Sequence, residues 1–261
     1  MRHVRNILGI PMTGWLCAGG SGLIVALGFA PFSQPVAGWI GLIPIAYYGQ
    51  REQPDLRDAW VLGWFFGFSH FLTSLSWLQT VTISGWAVLS AYLAIYPALW
   101  FVLWVRFSGS DPERMTSLGN IRHALLGASA WAVTEWLRGV VLSGFGWNSL
   151  GVSQGDLLLV AQVADLGGVA LVSWVVAFAG LTLTLTARRF ELEIRGAQKW
   201  RPRWDFTAGV IVVGMTMVYG ARTLLRPMPE PVITLRYAAI QPSVPQDPWR
   251  SAKVSRVAEE L

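Results

Sequence analysis

Apolar residues dominate this chain in runs at roughly 12–30, 36–50, 59–79, 85–105, 121–143, 163–186 and 206–224. Most of these runs approach the ~20 residues a helix needs to cross the hydrocarbon of a bilayer. Polar and charged positions gather in the gaps between them. The pattern predicts an all-α polytopic membrane bundle of about seven transmembrane helices. The run at 36–50 is short and carries Gly38, Gly41 and Pro44, so a tilted, broken or re-entrant segment is expected there. The first run is not expected to be a cleaved signal, because no small-residue cleavage site follows Pro31 and Pro35 and more spans come after it.

Beyond Leu225 the pattern changes. Prolines alternate through Arg226 to Pro231, which predicts a stiff, extended linker at 225–231. Val232 to Gln241 is β-branched and partly alternating and stops at Pro242, the signature of a strand. After the turn at Pro242, Pro245 and Pro248, the segment Trp249 to Leu261 reads as the start of an amphipathic helix with Val254, Val257, Ala258 and Leu261 on one face. The expected organisation is therefore a transmembrane helical domain at 1–224, the linker, and at 232–261 the beginning of a domain. One strand and one helix start cannot bury a core, so that domain is expected to be incomplete.

Composition narrows the class further. Of the 261 residues 53% are hydrophobic and 13% charged, against about 25% charged in soluble domains. A surface so poor in charge belongs in lipid. The net charge of +5 does not imply a nucleic-acid partner, because the basic residues sit between the apolar runs. Arg2 and Arg5, Arg51 and Arg57, Arg106, Arg114 and Arg122, and the series from Arg188 to Arg203 would all fall on one side of seven spans, whereas 31–35, 80–84 and 144–160 contain no Lys or Arg. The positive-inside rule then puts the N-terminus in the cytoplasm and the tail outside. Cys17 is the single cysteine, so neither an intrachain disulfide nor a cysteine metal cluster is expected, and no metal or cofactor site is read from the chain.

The chemistry concentrates in Trp131 to Gln154, WAVTEWLRGVVLSGFGWNSLGVSQ. Charged residues are costly inside a membrane, so Glu135 and Arg138, three apart on one helix face, require a purpose. Two readings stay open. One is a structural pair, or Arg138 snorkelling to phosphate while Glu135 bonds another helix; the other is a role in binding a lipid headgroup. Trp147, Asn148 and Gln154 stand in the loop that follows, either as part of an interfacial aromatic belt or as a platform for acyl chains. Gln162 and Asp165 could cap the sixth span or hydrogen-bond the loop that holds Trp147, capping being the preferred reading, and His70 is expected to hydrogen-bond a neighbouring helix.

These residues carry a resemblance. The order of spans, the 131–154 segment, Gln162-Val-Ala-Asp-Leu-Gly-Gly168 and Ala239-Ile-Gln-Pro-Ser-Val-Pro-Gln246 resemble the apolipoprotein N-acyltransferases. The resemblance implies an inner-membrane acyltransferase with a periplasmic α/β nitrilase-like domain, of which 232–261 would be the start. It implies transfer of a phospholipid acyl chain, through a cysteine thioester, to the α-amino group of a diacylglyceryl-cysteine lipoprotein. Trp249 resembles a tryptophan the family places after the first nitrilase strand, displaced here by about one residue with Pro248 between. The implied catalytic set, a Glu in a Trp-Pro-Glu context, a Lys and a Cys nucleophile, has no counterpart in these 261 residues, so catalysis by this chain alone is not expected. Two other classes fit parts of the pattern: a lipid-binding half that docks a separately encoded nitrilase-like chain, and a small-molecule transporter, against which the lack of self-similar halves counts.

Overall fold

A computed structural model describes residues 9–107, 115–227 and 235–241. The chain divides into a unit up to Arg226 and a second from Pro227. In the first, the described elements are α1 (Met12–Leu27), α2 (Pro35–Gly41), α3 (Ile43–Glu52), α4 (Leu56–Ser74), α5 (Ile83–Leu93), α6 (Ile95–Arg106), α7 (Ser117–Val140), α8 (Leu158–Ala161), α9 (Ala164–Ile194) and α10 (Trp204–Leu224). Among the described residues, three stretches are long and apolar enough to cross a membrane, against the seven spans expected: Ile83–Arg106 across the α5–α6 junction, Ala164–Ile194 and Trp204–Leu224.

Several expected spans are interrupted, each for a local reason. The run at 36–50 breaks at Leu42, where Pro44 opens the first turn of α3. Pro lacks an N–H, so it fits a helix start and ends the element before it. The run at 85–105 breaks at Ala94, ahead of Pro97 in the first turn of α6. The run at 59–79 leaves α-helix at Ser74 and finishes as a 3-10 turn over Ser76–Thr80. In α9 the backbone departs from helix at Gly167 and Gly168, the latter with φ 65°, a conformation that glycine adopts without steric cost. The strand expected at 232–241 is not found in its described part. Residues 235–241 are irregular, with Leu235, Tyr237 and Ile240 all exposed. An extended segment without a neighbouring strand leaves its backbone groups to solvent. Residues 232–234 and the helix start at 249–261 lie outside the described residues.

Small residues let the helices approach closely, as in membrane bundles generally. Gly63 and Gly67 of α4 face Ala94, Pro97 and Ala98 so closely that an added Cβ would sit 2.8–2.9 Å from their atoms. Around this contact lies an aromatic core of Phe66, Trp100, Phe101 and Trp104, all fully buried, with Trp131 packed edge-on against Trp100 at 5.0 Å. The buried indoles are satisfied by helix carbonyls: Trp100 Nε1 donates to Gly127 O and Trp104 Nε1 to Ala46 O, each at 3.0 Å.

At the arginine-bearing end, Arg189 is fully buried and gathers three segments. It pairs with Glu193 at 3.1 Å and Asp205 at 3.5 Å, and donates to Ser117 Oγ and to the carbonyls of Arg201 and Pro202. Asn120 donates to Asp205, and Arg203 pairs with Glu193. The starts of α7 and α10 are thereby fastened to the end of α9. Removing one member of a buried ionic set leaves its partners unpaired, which costs about 3–5 kcal/mol. Arg189→Ala is therefore expected to lower folded yield and the thermal midpoint in detergent sharply. Arg51→Ala, at a half-exposed pair with Glu52, should cost no more than about 1 kcal/mol. Equal midpoints for the two variants would contradict this account.

Candidate functional site

The opposite end of the bundle is closed by the loop that follows α7, and its course is set by α7's own side chains. The backbone enters left-handed conformations at Leu142, Ser143 and Gly144, and again at Asn148. It turns back so that Phe145 N donates to Arg138 O at 2.7 Å. Arg138, only 2% exposed, donates through Nη1 to the carbonyls of Phe145, at 3.0 Å, and Trp147, and through Nη2 to Ser149 Oγ at 3.3 Å. Its guanidinium also lies 5.2 Å from the centroid of the Phe71 ring, a cation–π contact. Glu135 Oε1 accepts from Leu150 N at 2.7 Å, and the next amide, Gly151 N, donates to Ser173 Oγ of α9 at 2.8 Å.

The loop's far side is tied to α2. Gln154 is fully buried; its Oε1 accepts from Trp39 Nε1 at 2.7 Å and its Nε2 donates to Pro35 O at 2.9 Å. Gly38 permits this approach, because a Cβ there would stand 2.6 Å from Ser153 Oγ and 2.9 Å from Gln154 Nε2.

Between this loop and residues 28–33 opens a recess of about 620 Å³, lined among others by Phe29, Ser33, Trp147, Asn148, Val152 and Asp156. Trp147 is 59% exposed and stacks obliquely on Trp77, with centroids 5.4 Å apart. Asp156 is the only charged residue of the lining. Asn148 donates to Ser74 O at 3.4 Å and also borders a second, much smaller cavity of about 20 Å³ that Glu135 and Arg138 line. The recess therefore offers aromatic and apolar walls, a few hydroxyl and amide groups and one carboxylate. Such a lining fits an amphiphile better than a polyanion.

The structure sorts the expected residues. Trp147 and Asn148 line the recess; Glu135 and Arg138 sit behind it and Gln154 beneath it, as braces. Glu135 and Arg138 are not joined to each other among the described ion pairs; each reaches the loop instead. Arg138 does not snorkel, since its guanidinium is buried against carbonyls that need it. Asp165 and Gln162 do not cap α9, which begins at Ala164 after Val163 and has no side-chain cap. Asp165 accepts from Tyr219 of α10 at 2.7 Å instead. His70 Nδ1 has no hydrogen-bond partner, contrary to the bond expected with a neighbouring helix. Trp249 lies outside the described residues. Phe29, Ser33, Asp156 and Ser173 were not anticipated; the prolines at 31 and 35 after Phe29 and the acidic residue ending an otherwise uncharged loop were the available signals. Among the described residues no cluster of three or more His, Cys, Asp or Glu could hold a metal.

Apolar helices of membrane-crossing length, closed at one end by a polar-braced loop, define a polytopic membrane protein. Comparison with known sequences is specific about which. Residues 21–182 match the apolipoprotein N-acyltransferase N-terminal domain, and the chain belongs to the apolipoprotein N-acyltransferase family. It is 31% identical to the apolipoprotein N-acyltransferase of Rhodopseudomonas palustris over 254 residues, covering 87% of this chain and 42% of the relative. Against the Methylococcus capsulatus enzyme the identity is 31% over 265 residues, with 94% and 47% covered. Against that of Ralstonia nicotianae it is 32% over 240 residues, with 87% and 42% covered. The chain thus spans less than half the length of these relatives.

Arg138→Met would leave the Phe145 and Trp147 carbonyls without their donor, at about 1–3 kcal/mol for each group left buried. The expected outcome is faster cleavage within 144–150 by limited proteolysis, with the rest of the bundle intact. Arg138→Lys should rescue only partly, because an ammonium cannot span the same fork of acceptors. Unchanged cleavage in the Met variant would remove Arg138 as the loop's brace.

Proposed function

We propose that these residues form the membrane part of an enzyme that transfers a phospholipid acyl chain to the α-amino group of the diacylglyceryl-cysteine of lipoproteins. Family membership supports the reaction class. The observation that carries the site is the recess beside Trp147 and Asn148, braced from beneath by Glu135, Arg138 and Gln154. On this reading the recess receives the lipid portion of donor or acceptor, Trp147 providing the aromatic wall. The thioester chemistry falls to residues not among these 261, in a nitrilase-like domain that the 232–261 segment would begin.

The proposed setting is the bacterial inner membrane, with about seven passes, the interrupted 36–50 segment among them. The lysine and arginine distribution supports a cytoplasmic N-terminus, which makes the 141–157 loop and the segment after Leu225 periplasmic.

Two experiments test this reading. Alkaline phosphatase fused after Pro227 should be active and fused after Arg195 inactive; the reverse pattern would refute the orientation. For function, residues 1–226 joined to the remaining portion of the Methylococcus capsulatus relative should sustain an acyltransferase-depleted strain. In that fusion Trp147→Ala should lower lipoprotein N-acylation at least several-fold with normal membrane yield. Full acylation by Trp147→Ala would exclude the recess as the lipid site, and failure of the parent fusion despite normal yield would count against the assigned reaction.

A further inference from the structure

Four buried polar atoms on α4 and α7 have no partner at hydrogen-bonding distance: Nδ1 of His70, Oγ of Ser74, Nε1 of Trp131 and Oε2 of Glu135, the Trp131 indole and the Ser173 hydroxyl standing near the Glu135 carboxylate without closing on Oε2. They form two pairs, each spaced by four residues, so each pair occupies one face of its helix. His70, Ser74 and Trp131 are 3%, 4% and 5% exposed. Buried polar groups are nearly always satisfied, and a cluster of such groups marks a place built to hold a polar partner. Three of the four residues, His70, Trp131 and Glu135, line one cavity of about 20 Å³ together with Tyr96, Arg138 and Asn148.

Size and charge together define the occupant. A water molecule needs only about 10–15 Å³ of such space and two to four polar partners, whereas a lipid headgroup is far too large. The Arg138 guanidinium in the wall opposes a metal ion or an ammonium. The hydrogen-bonding complement is that of one water: the indole N–H can only donate, a carboxyl C=O oxygen accepts, and the imidazole nitrogen can accept when its ring proton is on Nε2. We infer that this cavity is a binding site for a single water molecule that accepts from Trp131 Nε1–H and donates to Glu135 Oε2 and His70 Nδ1. Asn148 lines both this cavity and the 620 Å³ recess, which gives the water its route of entry.

The site goes beyond the proposed acyl transfer and is independent of it. It makes Glu135 a two-sided group, with Oε1 on the Leu150 amide and Oε2 on the water. His70 acquires the partner that no neighbouring helix supplies.

Radiolytic hydroxyl-radical footprinting of the unmodified 261-residue chain in detergent tests this directly, because radicals formed from a bound water oxidise the side chains around it. Tyr96 and Tyr48 are each 6% exposed, but only Tyr96 lines the cavity. Trp100, fully buried and bonded to Gly127, serves as the dry reference for Trp131. The expected result is oxidation of Tyr96 several-fold faster than Tyr48, and of Trp131 several-fold faster than Trp100. Equal rates within either pair would overturn the assignment.

Discussion

A buried backbone amide or carbonyl must find a partner, and in this chain that requirement governs the non-helical segment packed against the bundle. Helices meet it internally; a loop cannot. The loop after α7 meets it by borrowing side chains. Arg138 takes the carbonyls of Phe145 and Trp147, Glu135 the amide of Leu150, Ser173 that of Gly151, and Gln154 reaches across to Pro35 and Trp39. Glu135 and Arg138 thus direct hydrogen bonds to backbone groups of the loop while their opposite charges still attract one another, which is how two ionisable groups persist in an apolar helix. The recess follows from the same arrangement, because a loop held this firmly can present Trp147 and Asn148 at defined positions.

The other end of the bundle solves a different problem with similar means. Arg189 is buried among Glu193, Asp205, Ser117 and two carbonyls. Desolvating so many charges gives little net stability, but it penalises every arrangement in which one of them is missing. The network therefore specifies which helix ends meet more than it strengthens their meeting. Between the two ends, apolar packing around Trp100 and Trp104 has little to discriminate one helix order from another in lipid.

What the sequence made legible followed from local rules. Long, uninterrupted apolar runs at 163–186 and 206–224 correspond to α9 and α10, whose starts fall within two residues of those expected. Glu135 and Arg138 stood out because charge is expensive in apolar helices. The other anchors of the loop did not, since Ser173, which takes the Gly151 amide, and Pro35 and Trp39, which hold Gln154, are brought near only by the tertiary fold. Asp165 misled for a related reason. A carboxylate near a helix start ordinarily caps it, but the glycines at 167 and 168 interrupt that start, and Tyr219 of a distant helix claims the carboxylate. The alternating segment at 232–241 carried strand propensity, yet pairing is a property of two segments and its described residues have no neighbour in a ladder. The breaks at Leu42 and Ala94 were partly foreseeable: Pro44 flagged the first, while Pro97 lay within a run that otherwise read as continuous.

The last helix shows one more property of the fold. α10 is pinned near its start by Asp205 and near its end by Gly220, where an added Cβ would collide with the Leu159 carbonyl, but few of its other residues are buried. Between the pins lies an apolar furrow of about 440 Å³ bounded by Leu183, Phe206, Gly209, Val213 and Met217. Against a bilayer, hydrocarbon is the medium that such an apolar furrow would take up. The packing density along this helix is then completed by molecules the chain does not encode, and its cohesion becomes a joint property of polypeptide and solvent. Exchanging acyl chains for the shorter, more mobile tails of a detergent alters the last helix first, leaving the polar-braced ends as they were.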